Sequence, residues 1–345
     1  MELGSKVWRL KMNKQLFRML CALFVVVVGI SVAVIYFTFD IRALNYLTMF
    51  QPWYILLALG TIMAGLFFDA TRLITLTELS GEKIDYKHVV YVVLSNYFLA
   101  LLTPGQGGGG LAQLMFMKRA GVPVAKSTLI IIVRTFMSIL FLFFTMPLVF
   151  YLDPTLVDWL PTSVIAVVCV MFITLPILFI RFVYTGKLEK WLIKFCRRFS
   201  DKTQTAIFLG YRDFQQAMFL LGRHPKKVLR AFAESGISLL LLYSVVPVCM
   251  MAFDIPVDWV VVLCRMCLLN LVLYFTPTPG GTGVAEGGFL VLFRAIIPSG
   301  LTGVIAVLWR FFCEYLPFTF GAILTIKAFG ADIITQISSR RNIEE

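Results

Sequence analysis

The chain has 345 residues, of which 59% are apolar and 14% charged, and it carries a formal net charge of +12. A soluble globular domain is about one quarter charged, so this composition argues against one. The basic residues flank long apolar runs, which assigns them to membrane topology and anionic headgroups rather than to nucleic acid.

Several runs exceed the roughly 20 residues that a helix needs to cross a bilayer. Long alternating strands are absent, which argues against a transmembrane barrel. Helices that satisfy their own backbone remain, and an all-α polytopic membrane protein in a single domain is expected. The N-terminus places Lys6, Arg9, Lys11, Lys14 and Arg18 ahead of an apolar run from Met19 to Phe39. That run is too long for a signal peptide core and no small-x-small cleavage site follows, so a retained first span is expected. Six full spans are predicted in all, at 16–39, 52–79, 126–151, 161–184, 229–253 and 300–328. Two further apolar regions, 88–118 and 259–297, are each interrupted by Gly and Pro. Their halves are short for a crossing, which predicts two re-entrant broken-helix hairpins.

Lys and Arg mark the cytoplasmic side of short loops. With the N-terminus inside, Asp40 and Arg42 lie outside and Lys83, Lys87 and His88 inside. Lys118, Arg119 and Lys126 also belong inside, so region 88–118 enters and leaves from the cytoplasm. Asp153, Asp158, Asp254 and Asp258 fall outside, so region 259–297 enters and leaves from the opposite face. Lys327, Arg340 and Arg341 place the C-terminus inside. The connector at about 185–229 is strongly basic, from Lys187 to Lys227, with Arg230 just beyond it. Trp191, Leu192, Phe195 and Phe199 recur in it near helical spacing, which fits a helix lying on anionic inner-leaflet lipids or a solvated connector.

The two interrupted regions resemble each other. Asn96 precedes Thr103-Pro104-Gly105-Gln106-Gly107-Gly108-Gly109-Gly110-Leu111-Ala112-Gln113. Asn270 precedes Thr276-Pro277-Thr278-Pro279-Gly280-Gly281-Thr282-Gly283-Val284-Ala285-Glu286. Each is followed by a span that carries an arginine, Arg134 or Arg310. With the charge-based orientation, repeat 1 at about 52–151 and repeat 2 at about 229–328 run in opposite directions. Inverted repeats that meet at discontinuous helices are a transporter architecture with its site near the bilayer midplane.

Glycine lets a ligand approach the main chain, and proline ends a helix and lacks a donor. The half-helix after each loop would aim N-terminal N–H groups at it, a place where anions bind. The alternative is a turn that only reverses a hairpin. Asp69, Arg72, Arg134, Arg265, Glu286, Arg294, Arg310 and Glu314 are charges within apolar segments. Each costs about 2.5–3.5 kcal/mol at mid-helix, which argues against unpaired lipid-facing positions. Asp69 with Arg72, and Arg310 with Glu314, are spaced as structural ion pairs. Arg134 and Arg310 are deeper, and a guanidinium suits phosphate because it donates two parallel bonds. Glu286 can cap its half-helix, meet a cationic headgroup or hold a proton. The expected binding set is therefore Asn96, Thr103, Pro104, Gly107, Gly108, Arg134, Asn270, Pro279, Gly280, Gly281, Glu286 and Arg310, supported by Asp69, Arg72 and Glu314. Cys264 and Cys267 form a C-x-x-C inside an apolar helix, which reads as packing. His88 and His224 lie in polar loops, and no metal-ligand cluster is expected.

Thr103-Pro104-x-x-Gly107-Gly108 with Arg134, and Pro277-x-Pro279-Gly280-Gly281-x-Gly283-Val284-x-Glu286 with Arg310, make the chain resemble a known family. It is similar to the membrane region of lysylphosphatidylglycerol synthase, the bacterial multiple peptide resistance factor. The resemblance covers almost the whole chain. It implies a flippase in the bacterial cytoplasmic membrane that moves an anionic or aminoacylated phospholipid between leaflets and so protects against cationic peptides. In the full-length synthase a separate cytoplasmic domain transfers lysine. This chain ends at Glu345, shortly after its last predicted span, so no transferase chemistry of its own is expected. Gln113 departs from the family pattern, which often has an acidic residue there. The partners expected are phospholipid, anionic inner-leaflet lipid along the basic connector, a separately encoded lipid aminoacyl-transferase and a second copy in a homo-oligomer. No cofactor, metal or nucleic acid is implied. The competing readings are a secondary transporter of a small anionic solute, a membrane partner of a lipid-modifying enzyme, and an intramembrane enzyme. The last lacks a nucleophile-base set.

Overall fold

A computed structural model describes residues 50–103, 107–158, 161–185, 224–298 and 300–325, with isolated positions elsewhere. The expected first span at 16–39, Pro104 and most of the basic connector lie outside the described residues. Every element among the described residues is a helix.

Helix α1 is Trp53–Leu79, and α2 (Tyr86–Leu102) and α3 (Gly107–Arg119) follow on either side of the first loop. Helix α4 is Val124–Leu152, a 3-10 turn covers Pro154–Leu156, and α5 is Thr162–Tyr184. After the connector come α6 (Pro225–Tyr243) and α7 (Val245–Ala252), joined across Ser244. Helices α8 (Trp259–Tyr274) and α9 (Val284–Phe293) flank the second loop. Helix α10 (Leu301–Arg310) passes through a π-helical turn, Phe311–Tyr315, and the apolar helix runs on to Thr325.

Five helices are long and apolar enough to cross a membrane: Trp53–Leu79, Val124–Leu152, Thr162–Phe182, Pro225–Ala252 and Leu301–Thr325. They fall on the second to sixth expected spans within a few residues. Both interrupted regions are indeed broken helices. Helix α2 has 17 residues and α8 has 16, so at about 1.5 Å per residue neither reaches the roughly 30 Å of a hydrocarbon core.

Local chemistry explains the starts of these helices. Pro225 occupies the first turn of α6, where its missing N–H costs nothing. Asp258 caps α8 by accepting from the amides of Val260 at 3.0 Å and Val261 at 3.2 Å. Helix α3 is capped by Thr103 and α9 by its own Glu286, as described below.

The most extensive helix–helix contact is between α1 and α6. Gly65 lies at this crossing, where an added Cβ would meet Leu242 at 2.9 Å. Ser238 also donates to the Gly65 carbonyl at 2.8 Å. Small residues that let backbones approach are the usual packing device inside membranes. Helices α2 and α3 close into a hairpin for the same reason. A Cβ on Gly109 would stand 3.0 Å from that of Ala100. Helix α4 packs against α8. The last span packs against α2, with Gly321 at the Leu94 carbonyl and the Phe98 and Phe318 rings 5.4 Å apart. Stacked Phe289, Phe293 and Trp309 fill the core between α9 and α10. Helix α5 is the most apolar of these spans and is exposed along nearly all of its length, whereas Pro225–Ala252 is mostly buried. It is therefore a peripheral helix whose Val167, Val170 and Leu178 face outward.

Candidate functional site

A cavity of about 390 Å³ lies where both interrupted regions meet the long helices. Its wall draws on α1, α2, α3, α4, α6, α8, the second loop and the last span. Asp69, Arg72, Arg134 and Glu314 bring charge to this wall, in a bundle built from apolar helices.

The first cluster is built around Asp69 on α1, which is 3% exposed. Arg134 on α4 grips both of its carboxylate oxygens, through Nε at 3.2 Å and through Nη2. Arg72, one turn along α1, contributes a further ion pair to Asp69 through Nη2. The remaining donor groups are distributed outward. Arg134 Nη1 donates to Gln113 Oε1 at 2.9 Å, and Gln113 Nε2 donates to Asn96 Oδ1 at 2.6 Å. Arg72 Nη1 donates to Ser138 at 2.7 Å and to Ser235 at 2.6 Å. One continuous network thus links α2, α3, α4, α1 and α6. Two guanidiniums face one carboxylate in it, leaving one excess positive charge.

The second cluster has the opposite sign. Arg310 is fully buried and donates through Nε to Glu286 at 3.1 Å and through Nη1 to the Gly280 carbonyl at 2.9 Å. Its Nη1 also pairs with Glu314. The π turn belongs to this arrangement, since it begins directly after Arg310 and contains Glu314. Local π geometry is frequent at functional positions in helices. Two carboxylates face one guanidinium here, an excess of one negative charge, and Glu314 lines the cavity. Buried pairs of this kind are net favourable only when the remaining donors and acceptors are also satisfied. The serine, amide and carbonyl partners satisfy most of these groups, while Arg72 Nε and Arg310 Nη2 are left without a partner.

The structure divides the expected binding set. Asn96, Arg134, Asn270 and Gly280 line the cavity, as do the supporting Asp69, Arg72 and Glu314. Thr103, Gly108, Pro279, Gly281, Glu286 and Arg310 are not part of its wall. Gly107 begins α3, and Pro104 is outside the described residues. Thr103 has a capping role, with its hydroxyl accepting from the Gly108 amide at 2.8 Å. Glu286 has the matching role, accepting from the Gly283 amide at 2.7 Å while it holds Arg310. One N-terminal amide of each half-helix is therefore already taken by the protein, so the cavity's charge comes chiefly from side chains.

Gly280 joins the two broken regions. Its φ is +56°, and a Cβ there would strike the Leu101 side chain at 2.5 Å. Only a residue without a side chain lets this loop take the left-handed turn and lie on the end of α2.

Several wall residues were not anticipated: Tyr97, Tyr243, Tyr274 and Trp309, with Ser138 and Ser238. The serines carry no local signal. Tyr243 does carry one, because tyrosine is enriched at membrane interfaces and this residue is deep inside the Pro225–Ala252 span. Cys264 and Cys267 are buried free thiols on α8, in keeping with packing. Arg265 is paired away from the cavity, with Asp153 at 2.8 Å.

The comparisons with known proteins agree with this membrane architecture. The lysylphosphatidylglycerol synthase TM region matches residues 23–321. A UPF0104 membrane protein of Archaeoglobus fulgidus is 22% identical over 313 residues, covering 86% of this chain and 94% of the relative. A UPF0104 membrane protein of Methanocaldococcus jannaschii is 24% identical over 298 residues, covering 80% of this chain and 86% of the relative. A multi-pass helical bundle with two interrupted helices, matched over most of its length, belongs to the family of the lysylphosphatidylglycerol synthase TM region.

Proposed function

We propose that this protein is a phospholipid translocase of the cytoplasmic membrane, moving an anionic or aminoacylated headgroup between leaflets through the cavity between its two broken helices. The observation that carries this reading is the charged cavity itself. It has one excess positive charge around Asp69 and, through Glu314 in its wall, meets the excess negative charge of the Arg310 cluster, within a bundle whose outer surface is apolar. Such groups are expensive in hydrocarbon and mark substrate pathways in membrane proteins. A headgroup with a phosphate and an amine matches both ends. A headgroup with phosphate alone matches the first.

The packing pattern supports an inverted repeat. Helix α4 of the first half lies on α8 of the second, and the last span of the second half lies on α2 of the first. That reciprocal exchange is what a twofold relation between the halves would produce. In this reading the two hairpins are re-entrant from opposite faces, both termini are cytoplasmic, and the basic connector rests on inner-leaflet anionic lipid. In this reading the membrane region moves the lipid, and a lipid aminoacyl-transferase is its natural partner.

The test is reconstitution. Vesicles with the purified chain and fluorescent phosphatidylglycerol or lysyl-phosphatidylglycerol are quenched from outside, and the protected fraction is followed over time. Faster exchange than in protein-free vesicles is expected. Equal rates for both lipids and both vesicle types would sink the reading.

A further inference from the structure

We infer that Arg72 Nε and the Tyr243 hydroxyl form the phosphate subsite of the cavity. This assignment rests on the reading of the cavity as a headgroup site, and it moves the anion contact away from Arg134 and Arg310.

The accounting of donors makes the choice. Arg134 uses Nε, Nη1 and Nη2 on Asp69 and Gln113. Arg310 also leaves one donor, Nη2, without a partner, but it is not part of the cavity wall and its carboxylate partners already outnumber it. Arg72 differs from both, because it lines the cavity with Nη1 and Nη2 engaged and Nε buried without a partner. The Tyr243 hydroxyl is likewise buried and unpartnered. Both side chains line the cavity, and they are only 5% and 4% exposed. They come from α1 and α6, the two helices in most extensive contact. Buried donors are nearly always satisfied in folded proteins, so two orphans on one cavity wall identify where an acceptor binds.

Charge identifies the acceptor. The Asp69 cluster has two guanidiniums for one carboxylate, so a singly charged anion completes it. A phosphodiester carries one negative charge and acceptor oxygens enough for both donors. The shared chemistry is a phosphate oxygen, supplied by a lipid headgroup or by soluble phosphate.

The experiment uses the purified full chain in detergent with three probes: short-chain phosphatidylglycerol, inorganic phosphate, and the matching diacylglycerol without phosphate. Wild type is expected to bind phosphatidylglycerol and not diacylglycerol. Tyr243→Phe should weaken that binding about tenfold, since a hydrogen bond to a charged group is lost. The same variant should melt no lower than wild type without lipid, because its hydroxyl has no protein partner to lose. Unchanged affinity in Tyr243→Phe overturns the subsite, and so does a lowered melting temperature of the lipid-free variant. Translocation of phosphatidylglycerol at the same rate by both proteins keeps the translocase and removes the subsite. Inorganic phosphate bound as tightly as the lipid, with the same loss in the variant, keeps the subsite and removes the lipid.

Discussion

Gln113 accepts a hydrogen bond from Arg134 at 2.9 Å, and the position matched to it in the second half, Glu286, accepts from Arg310 at 3.1 Å. The two halves build the same contact with different charge. Glu286 neutralises its arginine, whereas Gln113 leaves the Arg134 charge to Asp69, which must also serve Arg72.

Gln113→Glu would erase that difference. It adds a carboxylate beside Arg134 and cancels the excess positive charge of the first cluster. Asn96, which accepts from Gln113 Nε2, can rotate its amide to donate instead. The fold should persist, with a melting temperature near that of wild type. Translocation of phosphatidylglycerol in vesicles should drop on the order of tenfold, equivalent to about 1.4 kcal/mol. An unchanged rate would mean that the cluster's net charge does not select the ligand.

Asp69→Asn should be far more damaging to stability. It leaves Arg72 and Arg134 facing each other without a counter-ion inside the bundle. Removing one partner of a buried pair costs about 3–5 kcal/mol. Thermal unfolding in detergent should show a clear loss. Combining Asp69→Asn with Arg134→Gln should recover part of it, because one of the two stranded charges goes too.

Much of this architecture was readable in the sequence. Apolar length located the spans now seen at Trp53–Leu79 and Val124–Leu152, and the Gly-Pro interruptions located the breaks between α2 and α3 and between α8 and α9. These signals are local, so one sequence carries them. The site was only partly readable. Arg134 and Arg310 are alike in sequence, but only Arg134 reaches the cavity, because Glu286 and the Gly280 carbonyl hold Arg310 in the wall behind it. Thr103, expected in the binding set, caps a half-helix, and Glu286 takes the capping role that was one of its three readings. The difference lies in which way a side chain turns, which motif spacing does not encode. Ser138 and Ser235 join the site by tertiary packing alone.

Glu314 should control headgroup choice. It lines the cavity from the π turn and is the exposed member of the second cluster, at 20% against 0% for the Arg310 side chain. Arg310 keeps Glu286 when Glu314 is neutralised, so Glu314→Gln should remain folded. Transfer of lysyl-phosphatidylglycerol should fall several-fold relative to phosphatidylglycerol, measured as a ratio in the same vesicles. A ratio equal to that of wild type would remove Glu314 from amine recognition.

Gly280→Ala tests the junction between the halves. A left-handed conformation costs an L-residue about 1–2 kcal/mol, and the new methyl group also meets Leu101. The variant should be destabilised by about that amount or more in thermal unfolding. Adding Leu101→Ala should not restore wild-type stability, because it relieves the collision and leaves the backbone strain.

The Asp153–Arg265 pair offers the opposite case, a buried ion pair away from the cavity. Arg265 Nε donates to Asp153 at 2.8 Å, Nη2 donates to Thr155 at 2.8 Å, and Nη1 reaches the Leu292 carbonyl. It therefore ties the end of α4 to α8 and α9. Either single change, Asp153→Ala or Arg265→Met, strands a buried charge and should cost about 3–5 kcal/mol. The double variant strands none, so its loss should be smaller than the sum of the singles, a coupling readable in a double-mutant cycle. Lipid transfer per folded molecule should be close to wild type in the double variant, since neither side chain lines the cavity. A transfer defect in that variant, at unchanged folding, would instead make this tie part of the motion that carries the headgroup across.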